Sequence, residues 1–335
     1  MNSIKRAVST YSLQDQYARK KMSLDDIFSW LTKMDAGLEF ISDQMLKGTP
    51  VPNEEVLIQW DKLIEKYNPK LVCNDVFINT CLYKNRTLTK KESLNLLIQE
   101  IKLANRLGFP MIRLVSNTRS DIIEPALFYA EKYGVVMTLE IHAGMSFDSP
   151  LTQEFIEVMR RLNSPYVGLT LDTGIFCERH PRVSTNFFRA LGVNEELIRR
   201  IDAIFDSGSD PKVYFEENTK EGKDFPDDIA ECVHTQDEYE YAFFSTGYER
   251  TDFAVLDDYM PYIKHIHGKI YEMTDDGVEY SIPFDRLISY LKKNGYSGYI
   301  ATEYEGNRFT LEGEPILDKE NVEAHQKMLK RYIGK

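Results

Sequence analysis

Short apolar runs alternate with longer amphipathic ones from one end of the chain to the other, the pattern of parallel strands joined by helices. Strands are predicted near residues 5–11, 37–42, 70–74, 111–115, 135–141, 167–171, 263–270 and 299–302. Between them apolar positions recur at helical spacing. "SLDDIFSWLTKM" has a cap in Ser23, "NEEVLIQWDKLIEKY" in Asn53, and "TKKESLNLLIQEIKLANRLG" in Thr89 with a stop at Gly108. "RSDIIEPALFYAEKYG" reads as a helix interrupted by Pro125, and "SPLTQEFIEVMRRLN", "PFDRLISYLKKNG" and "DKENVEAHQKMLKRYI" complete the set.

Eight strands, each followed by a helix, predict one α/β domain over 1–335, a (β/α)8 TIM barrel, with an open doubly wound sheet as the alternative. No glycine-rich phosphate loop follows the first strand, which favours the barrel. One connection breaks the rhythm. Residues 176–262, between strands six and seven, form a long insertion that is acidic and rich in aromatics, among them Tyr239, Tyr241, Phe243, Phe244 and Tyr248. Long connections at the C-terminal face of a barrel serve as lids, substrate walls or subunit contacts. The plainer alternative is that these aromatics form the insertion's own small core.

The run "IKHIHGK" carries two of the six histidines in alternate positions. In a strand His265, His267 and Lys269 share one face, and Ile266, Gly268 and Ile270 the other. If the isoleucines pack against helices, the His/Lys face needs an enclosed polar setting such as the inside of a barrel. The neighbouring strands repeat the pattern. "VVMTLEIHAG" ends in Glu140 and His142, "YVGLTLDTG" in Asp172, and "GYIATEYEG" in Glu303 and Glu305. Four consecutive strands thus deliver an acid or a histidine at one level. Carboxylates so gathered repel one another unless a cation relieves them. Carboxylates plus an imidazole suit Mn²⁺ best, with Mg²⁺, Co²⁺ and Zn²⁺ as alternatives.

The charge balance narrows the partners. Lys and Arg total 41 against 53 Asp and Glu, a formal net charge of −12, which opposes binding to nucleic acid or to anionic membranes. No stretch is long and apolar enough to span a bilayer, and "MNSIKRAVSTYSLQDQY" lacks a secretory core. The four cysteines, Cys73, Cys81, Cys177 and Cys232, show no metal-ribbon spacing and read as thiols in a reducing compartment. The expected location is the cytoplasm.

"LEIH", "LDTGIF", "HIHGK" and "TEYEG", in that order, resemble the xylose isomerase-like superfamily of TIM barrels, which includes sugar-phosphate isomerases and epimerases. By that resemblance one residue from each of strands five to eight holds a divalent ion: Glu140, Asp172, His267 and Glu303. His267 is chosen over His265 because the family's ligand His stands two residues before a Lys. Many epimerases of this type have a His three residues after the Asp, where this chain has Ile175. Longer stretches, "VSTYSLQDQY", "LEFISDQM", "LEIHAGMSFDSP", "DTGIFCERHPRV" and "HIHGKIYEM", resemble the catalytic α subunit of the C-glycoside deglycosidases.

A metal beside an unligated His suits proton abstraction next to a carbonyl. His142, on the face of Glu140 and one step further out, is the candidate catalytic base; the alternative is that it orients a carboxylate. The resemblance implies the substrate, a 3-oxo C-glycoside of an aromatic such as a flavonoid, cleaved by loss of the C2 proton and β-elimination. It also implies a small β subunit in a hetero-oligomer. The competing activity is a sugar isomerase or epimerase with the same metal. His265 and Lys269 are candidates for holding sugar oxygens. Arg113 and Glu39 are candidate polar contacts to substrate, or else partners in salt bridges inside the barrel. His180, His234 and His325 fall in loop or helix sequence and are expected to be exposed and non-catalytic.

Overall fold

Eight parallel strands close into a barrel in chain order: β1 (Lys5–Ser9), β2 (Gly37–Ile41), β3 (Leu71–Val76), β4 (Met111–Leu114), β5 (Val136–Ile141), β6 (Val167–Asp172), β7 (Ile263–Ile270) and β8 (Tyr299–Tyr304). The structure is a computed structural model that describes residues 3–78 and 81–334. Lys5 to Val8 pair with Tyr299 to Thr302, so the sheet has no edge and the open doubly wound alternative is excluded.

The helices form where capping chemistry places them. Ser23 and Thr89 each make a reciprocal capping box, with Asp26 and Glu92, and open the helices Leu24–Lys33 and Lys90–Leu107. Gly108 ends the second in a left-handed conformation. Pro125 does not interrupt its helix. It lies in the first turn of Ile123–Tyr133, where the N–H that proline lacks has no partner within the helix.

Outward side chains of the strands, including Leu139, Leu169, Leu171 and Ile266, are fully buried beneath the helices. On β7 the outward Gly268 stands where a Cβ would meet Ile300 at 2.9 Å and His325 at 3.0 Å. The helix Asp318–Ile333 can therefore lie close, and His325 bonds Thr302 Oγ1 at 2.8 Å. His325 is thus buried, against expectation, because its helix presents that face to the barrel. His180 is buried too, while His234 is exposed.

Between β6 and β7 the chain folds into the helices Arg182–Ala190, Glu195–Asp206, Pro211–Asn218 and Gln236–Ser245, with shorter turns between them. Their apolar faces make a local core around His180, whose ring lies 5.2 Å from Phe205, 5.3 Å from Tyr241 and 5.2 Å from Tyr248. Thr185 and Ser245 hydroxyls bond its two nitrogens at 2.9 and 3.0 Å. Tyr241 is fully buried in this local core, as the plainer reading expects; Phe244 and Tyr248 also line the cavity at the barrel mouth. Cys73, Cys177 and Cys232 are buried and Cys81 is exposed. Among the described residues no helix is long and apolar enough to cross a membrane.

Candidate active site

The ends of β5 to β8 bring Glu140, Asp172, His267 and Glu303 together. Inward phase alternates along each strand, and the register sets Asp172 beside His267 and Lys269 beside Glu303. One donor atom from each of the four lies within 4.8 Å of the others, and all four residues are buried. His267 Nδ1 is 2.8 Å from Glu140 Oε1 and 3.4 Å from Glu303 Oε2. Asp172 Oδ1 accepts from the Gly174 N–H at 2.7 Å. Asp172 Oδ2 and Glu303 Oε2 lie 3.0 and 2.8 Å from Lys269 Nζ, yet neither is aligned for a hydrogen bond. Buried carboxylate oxygens without hydrogen bonds, in a ring of three acids and one imidazole, fit a divalent cation.

The groups around the ring show how strong its field is. Burial, with Glu303 and Glu140 adding to it, raises the Asp172 carboxyl to about 6 despite Lys269. Burial also acts on Glu140, but Arg113 and His267 outweigh it and hold that carboxyl at about 2. Against burial, the Glu39, Glu303 and Glu140 carboxylates raise His267 well above its ordinary value. Metal binding would displace the proton held between His267 and Glu140.

Two of the expected substrate contacts lie elsewhere. Glu39 and His265 are fully enclosed and do not line the cavity. Glu39 Oε1 is 3.2 Å from His267 Nε2, and its other oxygen bonds His265 Nε2, so both residues sit behind the ring. Arg113 makes the salt bridges inside the barrel that its alternative reading expects. It lines the cavity, and it pairs with Asp75 at 3.1 Å and with Glu140 at 3.6 Å. Lys269 also lines the cavity and pairs with Asp172, Glu303 and, at 3.1 Å, Glu305. Asp75 escaped the sequence reading, which ended the third strand at Asn74; the strand continues to Val76 and turns Asp75 inward.

Above the ring opens a cavity of about 580 Å³. His142 stands on its wall with Glu140, Asp172 and Glu303, and Nδ1 of His142 faces the Ala143 carbonyl at 2.6 Å. A carbonyl carries no proton, so Nδ1 is the donor and the Nε2 lone pair is free to accept one. The outer wall is aromatic, with Phe187, Phe188, Phe244 and Tyr248 from the insertion and Phe309 from the loop after β8. Tyr11, Tyr271 and Arg308 also face the space. Phe244 and Tyr248 belong to the aromatic run visible in the insertion, but no local pattern flags Phe187, Phe188, Arg308 or Phe309, which converge only once the barrel closes.

The fold is a (β/α)8 TIM barrel that solved structures of sugar epimerases and isomerases share. D-psicose 3-epimerase, in a structure with D-fructose, superposes at a TM-score of 0.55 with 10% identity, covering 99% of this chain and 100% of that one. A xylose isomerase domain protein from Planctomyces limnophilus superposes at 0.52 with 10% identity, covering 99% and 98%. In sequence the chain is similar to curated deglycosidase subunits. It is 26% identical over 343 residues to the 3'-dehydrocarminate deglycosidase alpha subunit of a Microbacterium species, covering 98% of this chain and 94% of the relative. It is 27% identical over 310 residues to a C-glycoside deglycosidase alpha subunit of Arthrobacter globiformis, covering 90% and 84%. No protein-family model matches the chain.

Proposed function

We propose that the chain is the catalytic subunit of a metal-dependent lyase that cleaves the carbon–carbon glycosidic bond of 3-oxo C-glycosides. Glu140, Asp172, His267 and Glu303 would hold the cation, Mn²⁺ being the best match to the mixed donor set. Glu39 Oε1 lies 3.2 Å from His267 Nε2, on the side of the imidazole away from Glu140, and a carboxylate there would favour the proton on Nε2 and leave Nδ1 to the ring. When bound, the ion supplies positive charge that stabilises negative charge developing on the sugar oxygens.

His142 takes the C2 proton at Nε2. The electron pair of that C–H bond becomes a C1=C2 double bond conjugated with the ketone, and the C1–aryl bond breaks. The aryl carbon receives a proton from an acid in the site or a neighbouring phenol of the aglycone, and the proton taken by His142 restores that donor, so the products are an unsaturated keto sugar and the free aglycone, with no water consumed. Lys269 and Arg113, which line the same cavity, hold sugar oxygens; the aromatic wall takes the aglycone.

The observation that carries this reading is one imidazole, its Nδ1 turned to a carbonyl, on the same cavity wall as the carboxylate ring. An isomerase or epimerase could use the same ring and base. Two features favour the lyase: the fully buried Ile175 where many epimerases of this type carry a His, and the similarity to deglycosidase alpha subunits. That similarity also supports a partner subunit, as the name alpha subunit implies; a small β chain would rest on the insertion or close the barrel mouth.

The test is an assay of Mn²⁺-loaded protein with its small subunit on a 3-oxo C-glucosyl flavonoid and, in parallel, on free ketohexoses. Aglycone release that is lost in His142→Ala supports the lyase. Epimer formation without aglycone release moves the chain to the isomerases.

A further inference from the structure

His142 opens a tight turn, His142-Ala143-Gly144-Met145, closed by the Met145 N–H donating to the His142 carbonyl at 2.9 Å. Gly144 has φ +84°, the left-handed value that the third position of such a turn demands. The peptide unit between Ala143 and Gly144 is engaged on both sides. Its carbonyl faces Nδ1 of His142 at 2.6 Å, and its N–H donates to Oε1 of Glu249 at 2.8 Å.

Glu249 belongs to the insertion, 105 residues further along the chain. Its main chain is fastened to the segment that follows Asp172: the Cys177 N–H donates to the Glu249 carbonyl at 2.8 Å, and the Thr251 N–H to the Ile175 carbonyl at 2.9 Å. Its side chain is 2% exposed. Lys212 lies 3.4 Å from Oε1 and also pairs at 2.9 Å with Asp148, at the far end of the loop that carries His142. Burying a carboxylate is costly unless it is paired and hydrogen-bonded, and here the partners are all tied to the His142 loop: the Gly144 amide, the Ser146 hydroxyl, and Lys212, which also holds Asp148.

We infer that Glu249 is a positioning residue for His142, acting through the Ala143–Gly144 peptide to fix the orientation of the imidazole and the Nδ1–H tautomer. The arrangement is a carboxylate–histidine pair with a peptide unit inserted between the partners. Each hydrogen bond on that peptide polarises the other, so a carboxylate on the N–H side strengthens the carbonyl as an acceptor for Nδ1–H. The insertion then does more than cover the barrel mouth, since one of its side chains sets the geometry of the base. This rests on the reading of His142 as the proton acceptor.

The test uses two readouts on wild type, Glu249→Ala, Glu249→Gln and His142→Ala. Amide hydrogen exchange at Gly144, followed in metal-free protein, reports the bond itself. Deuterium uptake at C2 of 3-oxo-1,5-anhydroglucitol in D₂O, with Mn²⁺ bound, reports proton abstraction on a sugar that has no aglycone to lose.

Glu249→Ala is expected to expose the Gly144 amide and to lower kcat for C2 exchange by about 10- to 100-fold, with KM and metal content unchanged. Glu249→Gln, which keeps an oxygen acceptor, is expected to restore both to within a few-fold of wild type, which separates positioning from misfolding. Gly144 protection surviving in Glu249→Ala overturns the inference. Wild-type C2 exchange in Glu249→Ala while His142→Ala abolishes it overturns the positioning role alone. Wild-type exchange in His142→Ala overturns the assignment of the base, and the inference with it.

Discussion

Glu39 on β2 and His267 on β7 meet inside the barrel, carboxylate Oε1 to imidazole Nε2 at 3.2 Å, while the opposite ring nitrogen faces Glu140 at 2.8 Å. A ligand imidazole whose far N–H is held by a carboxylate has a fixed tautomer and a more basic donor atom. Removing that carboxylate without touching the ring should weaken Mn²⁺ binding roughly 10- to 100-fold. Titration calorimetry on Glu39→Ala checks this, with Glu39→Gln expected to lose less. Unchanged affinity in both variants would show that Glu39 serves the barrel core only.

Arg113 holds Asp75 and Glu140 at once, and all three are buried. Arg113→Met removes the cation beside Asp75 and leaves Glu140 with His267 alone. Loss of one partner from a buried pair costs roughly 3–5 kcal/mol. Urea unfolding of metal-free protein should show a loss of that size, and Arg113→Lys should recover only part of it, since an ammonium cannot reproduce the planar fork.

His180 is the polar peg of the insertion, and burial lowers its pKa to about 3 from the ordinary 6.5. The unfolded chain therefore takes up a proton below about pH 6.5 that the folded chain refuses, and this contribution to stability is flat above that pH and lost as pH falls towards 3. The slope for one such group approaches about 1.4 kcal/mol per pH unit. His180→Asn should be less stable than wild type at neutral pH, and the two curves should converge on acidification. Parallel curves would mean that His180 does not stay neutral in the fold.

Phe244 faces the cavity from the insertion while 46% of it remains exposed. If the aromatic wall receives the aglycone, Phe244→Ala should raise KM for an aryl C-glycoside about tenfold, the loss of one aromatic contact, and leave Mn²⁺ affinity unchanged. A fall in kcat with constant KM would place the effect on the chemistry instead.

All eight strands were readable because apolar runs and capped helices alternate without ambiguity, and the inward phase of Glu140, Asp172, His267 and Glu303 follows from strand period alone. What failed was depth and distance. Strand phase puts His265 and Glu39 inside the barrel but does not say that they lie behind the ring, out of reach of the cavity. Ending the third strand at Asn74 hid Asp75. His325 looked like an exposed helical residue because nothing local shows that Gly268, far away in sequence, leaves room for it. The bond from Glu249 to Gly144 could not be read, since it depends on how the insertion returns to the barrel.

If the ends of β5 to β8 form one metal centre, titration calorimetry with Mn²⁺ on wild type, Glu140→Gln, Asp172→Asn and Glu303→Gln will show it in stoichiometry and affinity. One ion bound per chain in wild type, with binding lost or severely weakened in each variant, is the predicted result. Wild-type affinity in all three variants, or no ion bound by the wild-type chain, would contradict it.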